Sequence, residues 1–187
     1  MRACAATLLL AMLLAGCRAA STAELRETVS PRAVVLDVPV VAEDRDGACG
    51  LGCLVSLLRF HGLDLDDDGR RRFPPERLER EWIAAGELRE YLRGRGFRAY
   101  LVHGALDDSR PSGLLGLLVQ RLPVIVILKG ESGENHYAIV CGFDPDARCV
   151  FLMDPARGIV GVDYARFEGY WKGADHFELV AARAPAK

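Results

Sequence analysis

The second half of the chain is a succession of short strand-type runs, and this bounds the fold more than any other feature. Val124–Leu128, His136–Phe143 and Cys149–Met153 are apolar and rich in strand-forming residues. Asp144-Pro145-Asp146, between the last two, reads as a turn. The first half has helical spacing instead. Cys49–Phe60 carries apolar residues at 53, 54, 57, 58 and 60, and His61-Gly62 supplies a stop with a glycine cap. Glu76–Gly94 reads as one or two helices, with Leu78, Trp82, Leu88 and Leu92 facing inward. A strand over Val34–Val41, a charged loop over Asp64–Arg72, a strand over Phe97–Val102 and a short helix over Ser112–Gln120 complete the frame. A helix-like piece around Tyr164–Trp171 and a strand over His176–Ala181 close it. Helices first and strands later indicate an α+β fold, with N-terminal helices packed on an antiparallel β-sheet.

The chain has 187 residues, of which 50% are hydrophobic and 27% charged, enough for one domain with its own core. It is too short for a transporter or a multidomain enzyme. Net charge is −2, and no basic stripe interleaved with aromatics invites nucleic acid. The N-terminus reads as a targeting segment. Arg2 precedes an apolar run from Ala3 to Gly16, too short to span a bilayer and suited to a signal peptide. It ends in Leu14-Ala15-Gly16-Cys17, which resembles the lipobox of bacterial lipoproteins. The resemblance implies acylation of Cys17, and Arg18 in place of Asp implies sorting to the outer membrane, facing the periplasm. A plain secretory signal with an incidental Cys17 is the competing reading. The expected organisation is a signal peptide over 1–16, a lipidated N-terminus and tether over 17–36, a catalytic domain over 37–181 and a tail over 182–187.

Three places carry chemistry. Cys49 opens the first predicted helix, in Ala48-Cys49-Gly50-Leu51-Gly52-Cys53. Unpaired amides and the positive end of the helix dipole stabilise a thiolate there, and two glycines leave room for a substrate backbone. Cys53, one turn on, reads as a small core residue. Burial or a disulfide competes with a nucleophilic role for Cys49. His136 starts an apolar strand and Asp154 ends the next, where Asp-Pro by itself is only a turn signal. A hairpin centred on residue 145 sets His136 opposite Asp154, about 5 Å apart at the Cβ atoms. The same register sets Cys141 opposite Cys149, a disulfide suited to an extracytoplasmic protein. Cys49 as nucleophile, His136 as base and Asp154 as its orienter form a set recognised by role.

Val38-Pro39, then Ala48-Cys49-Gly50-Leu51-Gly52-Cys53-Leu54, then Phe60-His61-Gly62 resemble the start of the bacteriocin-processing, double-glycine-leader cysteine peptidases. Leu122-Pro123-Val124-Ile125, His136-Tyr137-Ala138-Ile139-Val140, Asp154-Pro155-Ala156-Arg157-Gly158 and Phe167 with Trp171-Lys172-Gly173 resemble that family's later blocks. The resemblance implies a papain-like fold, a peptide substrate, and Cys49, His136 and Asp154 in the catalytic positions. It departs at Glu43, which stands where the family places an oxyanion-donating glutamine; the chain's only glutamine, Gln120, lies in another block. An ionised carboxylate cannot donate, and losing one such donor costs about 100–1,000-fold in rate. Either Glu43 is held protonated, or backbone amides or Asn135 substitute, or activity is weak. The domain is also expected to stand without the transporter to which that family's leader-processing members are usually fused. The rivals are a catalytically weak or inactive peptide-binding module on the same fold, another acyl-transfer enzyme, and a structural envelope lipoprotein. Asp64–Gly69 matches the opening of a calcium loop, but Pro75 occupies its twelfth position and three arginines interrupt it. His61, His103 and His176 lack metal-ligand spacing and read as caps or packing. The expectation is a monomer with no metal and no organic cofactor.

Overall fold

The computed structural model describes residues 18–19, 21–42, 48–78, 81–107, 109–130 and 133–183. Cys17 and Glu43 lie outside the described residues, as do the whole of the expected signal peptide and residues 184–187 of the expected tail. One antiparallel sheet organises the described chain. Its strands are β1 (Arg18–Ala19), β2 (Val34–Val35), β3 (Phe97–His103), β4 (Val124–Lys129), β5 (Asn135–Asp144), β6 (Cys149–Asp154), β7 (Gly158–Asp163) and β8 (Phe177–Arg183). They run in the order β1-β7-β6-β5-β4-β8-β3, with β2 on β5. The helices are α1 (Thr22–Arg26), α2 (Cys49–Phe60), α3 (Asp67–Arg72), α4 (Pro75–Leu78), α5 (Ala85–Gly94), α6 (Leu114–Val119) and α7 (Tyr164–Gly173).

α2 is the axle of the fold. Nine of its twelve residues are buried, because apolar side chains line it on nearly every side and it packs between the sheet and the other helices. Gly62, at φ 71, turns the chain away from its C-terminus, and the Leu63 amide returns to the Leu58 carbonyl at 2.9 Å. On the sheet side, Ser56 takes the Val41 amide and donates to Met153 Sδ, while Gly50 lies close to the Tyr137 ring. Tyr137 and Met153 therefore face α2. Leu128, His136 and Asp154 face the other way, toward Tyr170 of α7. Asp163 caps α7 by accepting the Arg166 amide, and Phe167 and Trp171 bury its inner side, with Trp171 Nε1 donating to the Phe177 carbonyl.

The central hairpin differs from the expected register in a way that matters. Ile139 pairs with Met153 and Val140 with Leu152, then the register shifts, and Gly142 pairs with Phe151. Cys141 is the bulged residue. The bulge sits where β5 leaves β4, whose pairing ends at Val140, and takes up β2 at Gly142. The Cys141 carbonyl accepts the Leu36 amide at 2.8 Å. Cys149 consequently faces Asp144 in the ladder, not Cys141. The expected Cys141–Cys149 disulfide is absent. Cys141 is buried, with its Sγ donating to the Phe151 carbonyl.

Two further expectations change. Residues 21–36 are not a tether: Leu25 is 1% exposed, Arg26 pairs with Asp37 at 2.6 Å, and Ser30 binds Asp144 through its amide and hydroxyl. The polar composition of this stretch hides four apolar anchors, Leu25, Val34, Val35 and Leu36. The charged loop over 64–72 contains α3, whose N-terminus Asp66 caps by accepting the Gly69 amide and the Tyr91 hydroxyl. Asp64, Asp67 and Asp68 pair with Arg59, Arg70 and Arg71 respectively, so the acidic residues are spent on capping and local ion pairs.

Candidate active site

Cys49 is the first residue of α2, following Ala48, which has no side-chain cap to offer. The first-turn amides of a helix lack carbonyl partners four residues back, so this uncapped end presents N–H groups beside the thiol. Cys49 is part-exposed, whereas Cys53, one turn on, is fully buried and burial pushes its thiol pKa well up. Cys53 is thus an inert core residue. Gly50 is fixed by its neighbour, since a Cβ there would crowd the Tyr137 ring.

His136 enters from the start of β5 and Asp154 from the end of β6. Continuing the register of Ile139 with Met153 sets Asp154 against Ala138, two residues from His136. The real register is slipped by two from a direct His136–Asp154 opposition. Because side chains alternate with a period of two, such a slip keeps both on one face as diagonal neighbours. His136 Nε2 approaches Asp154 Oδ1 to 3.1 Å. The contact is a charge pair in which the ring N–H is not aligned on the oxygen as a linear hydrogen bond.

Asp154 is held from three sides. Oδ1 also accepts the Ala156 amide at 2.9 Å, and Oδ2 accepts Arg157 Nε at 2.7 Å. Its side chain is 1% exposed. Burial alone would raise its pKa, but His136, Arg157 and the Ala156 amide outweigh it and bring the carboxyl down to about 2. His136 shows the converse balance. Burial lowers its pKa, but the neighbouring Asp154 and Cys49 side chains raise it to about 9. The Cys49 thiol is therefore near enough to act on the imidazole, and the imidazolium is the favoured form at neutral pH. The structure brings Cys49, His136 and Asp154 into one group.

A cleft of about 310 Å³ opens beside His136 and Asp154, lined by Leu128, Lys129, Asn135 and Tyr170, with Glu134 and Arg157 at its edge. Asn135 is exposed beside His136. Gln120 is elsewhere: its amide nitrogen donates to the Pro111 and Gly116 carbonyls, closing the end of α6. The other histidines pack or bind locally. His61 stacks edge-on between Phe60 and Phe97, His103 donates to the Asp175 carbonyl, and His176 contacts Glu168 at 2.7 Å. No group of three or more metal-ligating side chains occurs among the described residues, and no helix among them is long and apolar enough to cross a membrane.

Sequence reasoning missed the role of Arg157 on Asp154. The signal was available as an Asp-Pro-x-Arg turn, which returns a cation to its own first residue at the i,i+3 spacing seen here. It also missed Glu178, a fully buried carboxylate with no hydrogen-bonding partner in the described structure.

The Peptidase C39 family matches residues 37–175. The fold is similar to that of a double glycine motif protease from an AMS/PCAT transporter, solved in complex with the leader peptide, at 18% identity and a TM-score of 0.58, covering 83% of this chain and 97% of that one. It is also similar to a C39-like peptidase from Bacillus anthracis, at 16% identity and a TM-score of 0.64, covering 82% and 98%. The peptidase domain of Streptococcus ComA, a bifunctional ABC transporter, gives 15% identity and a TM-score of 0.58, covering 79% and 99%. None of the curated proteins matches the chain at a significant level.

Proposed function

The chain belongs to the peptidase C39 family, and on that premise we propose that it is a peptidase cutting peptide bonds through Cys49, His136 and Asp154. The observation that carries the reading is His136 placed to interact with both Cys49 and Asp154, with its pKa raised to about 9 by those two groups against the opposing effect of burial. In this reading the Cys49 thiolate attacks the peptide carbonyl carbon. The carbonyl π electrons move onto oxygen, where first-turn amides of α2 are the nearest candidate donors. As the tetrahedral intermediate collapses, the C–N bond breaks and the His136 imidazolium gives its proton to the leaving amine, leaving a thioester. Water then attacks the thioester, its proton passes to His136, and the carboxylic acid leaves with Cys49 regenerated. Asp154 keeps the imidazole oriented throughout.

The substrate is a peptide or protein segment that reaches the site in extended form. Acylation of Cys17 would hold the domain at the bacterial outer membrane, facing the periplasm, as a monomer. A peptide-binding module without turnover is the second reading, and Glu43 is the residue that favours it, since it stands in the sequence where the resemblance places an oxyanion-donating glutamine and an ionised carboxylate cannot donate.

Iodoacetamide labelling of the purified protein across pH 5–9, with the modified cysteine located by mass spectrometry, tests the proposal. We expect Cys49 to label fastest of the cysteines at pH 6, and His136→Ala to slow it there about tenfold or more. Equal rates for wild type and His136→Ala at pH 6 would leave the binding module as the better reading.

A further inference from the structure

The Asp154 carboxylate has more holders than an orienting acid needs. One oxygen serves the imidazole and a backbone amide, and the other is taken by the guanidinium of Arg157 at 2.7 Å. The two residues are three apart in a turn that joins β6 to β7, and the Arg157 amide also returns to the Asp154 carbonyl at 3.1 Å. Arg157 approaches from solvent, with its side chain 59% exposed, while Asp154 is 1% exposed. A buried carboxylate with one edge toward a histidine can still rotate about its last torsion, and a cation fixed on the far oxygen stops that rotation. We propose that Arg157 is a positioning residue for the Cys49–His136–Asp154 group, clamping Asp154 through Oδ2 so that Oδ1 stays presented to His136 Nε2. This rests on the peptidase reading for its purpose, though the clamp itself is a contact within the fold.

A clamp of this kind has an electrical side. Asp154 is shared between a cation that never titrates and an imidazole that does, so Arg157 keeps the carboxylate ionised even when His136 is neutral. Other charged or titratable groups around His136 are Cys49 from α2, Lys129 from β4, Glu134 ahead of β5 and Tyr170 from α7. Among the described residues, the charged side chains that grip the carboxylate are His136 and Arg157.

The test is a double-mutant cycle on the full-length protein, read in two ways. Iodoacetamide labelling of Cys49 at pH 6 reports the thiolate–imidazolium pair, and NMR of the Asp154 side-chain carbon between pH 2 and 6 reports the carboxylate. Arg157→Ala should slow labelling about tenfold, as expected for loss of a charge-assisted hydrogen bond, and move the Asp154 titration up by about one pH unit. Arg157→Lys should restore both in large part. In an Asp154→Asn background, Arg157→Ala should change labelling no further. An equal loss in both backgrounds, or an Asp154 titration that stays in place, overturns the clamp. The carboxyl readout needs no turnover. A chain that fails the His136→Ala labelling test but still shows the Asp154 shift would sink the peptidase reading and leave the clamp standing.

Discussion

Asp154 and Glu178 are both buried carboxylates on the same face of the same sheet, and they are opposites. Glu178 pairs across to Val126, Val126 to Ala138, and the β5–β6 register sets Ala138 against Asp154. Asp154 has an amide, a guanidinium and an imidazole around it and a pKa of about 2. Neither oxygen of Glu178 has a hydrogen-bonding partner among the described residues, and burial lifts its pKa to about 7. Two strands of separation thus change a carboxyl group from a permanent anion into one that is protonated in mildly acidic solution. Burial is common to both; what differs is the supply of donors. The signs with pH also differ. Asp154, with its pKa lowered in the fold, contributes stability that is complete above about pH 4 and is lost as pH falls through 2. Glu178, with its pKa raised from 4.5, makes the fold progressively less stable as pH rises from 4.5 to 7. His136, raised from 6.5, contributes stability that is complete below 6.5 and fades as pH rises through 9.

The contrast can be broken most severely at Asp154. Asp154→Asn keeps the shape but removes the charge, and turnover of any peptide the wild type cleaves should fall about 1,000-fold or more. Glu178→Gln should leave that rate within about twofold; a comparable loss there would mean that Glu178 also serves the site. The next effect belongs to stability. Between pH 4.5 and 6.5, below the range in which His136 contributes, urea unfolding of the wild type should show a decline on the order of 2 kcal/mol from Glu178, which Glu178→Gln removes. A variant that keeps the full decline would show that the carboxyl is not its source. The smallest effect tests the packing. Gly104 lies against the Glu178 carboxylate, and a Cβ at 104 would overlap it. Gly104→Ala should cost about 1–2 kcal/mol in thermal unfolding, and Glu178→Ala beside it should recover most of that loss.

Legibility followed the strength of local signals. The helix at Cys49, the hairpin and the catalytic-type trio could be read because apolar spacing, glycines and strand ends all pointed the same way. His136 and Asp154 met even though the assumed register was off by two, since an even slip preserves the face. The disulfide did not survive, because the slip of two already sets Cys149 against Phe143 and the bulge at Cys141 moves it one further, to Asp144; a bulge at a change of partner strand leaves no mark in the local sequence. β7 was missed for a related reason: Gly158-Ile159-Val160-Gly161 has two glycines where strand propensity is weakest, and pairing with β6 supplies the order. Glu178 was hidden by alternation, which assigns a charged residue in Phe177–Arg183 to the solvent side, whereas this strand is covered on both faces there.

The docked segment ahead of the sheet sets how far the domain can roam. α1 begins at Thr22 with Ser21 as its cap, and Leu25 is buried in the body. If the proposed lipid sits on Cys17, a single peptide unit joins it to Arg18, which β1 already pairs with β7 at the edge of the sheet. At no more than about 3.6 Å, such a leash has almost no length. A protein so anchored would patrol a film, not a volume, meeting chains that emerge at the bilayer surface or lie along it.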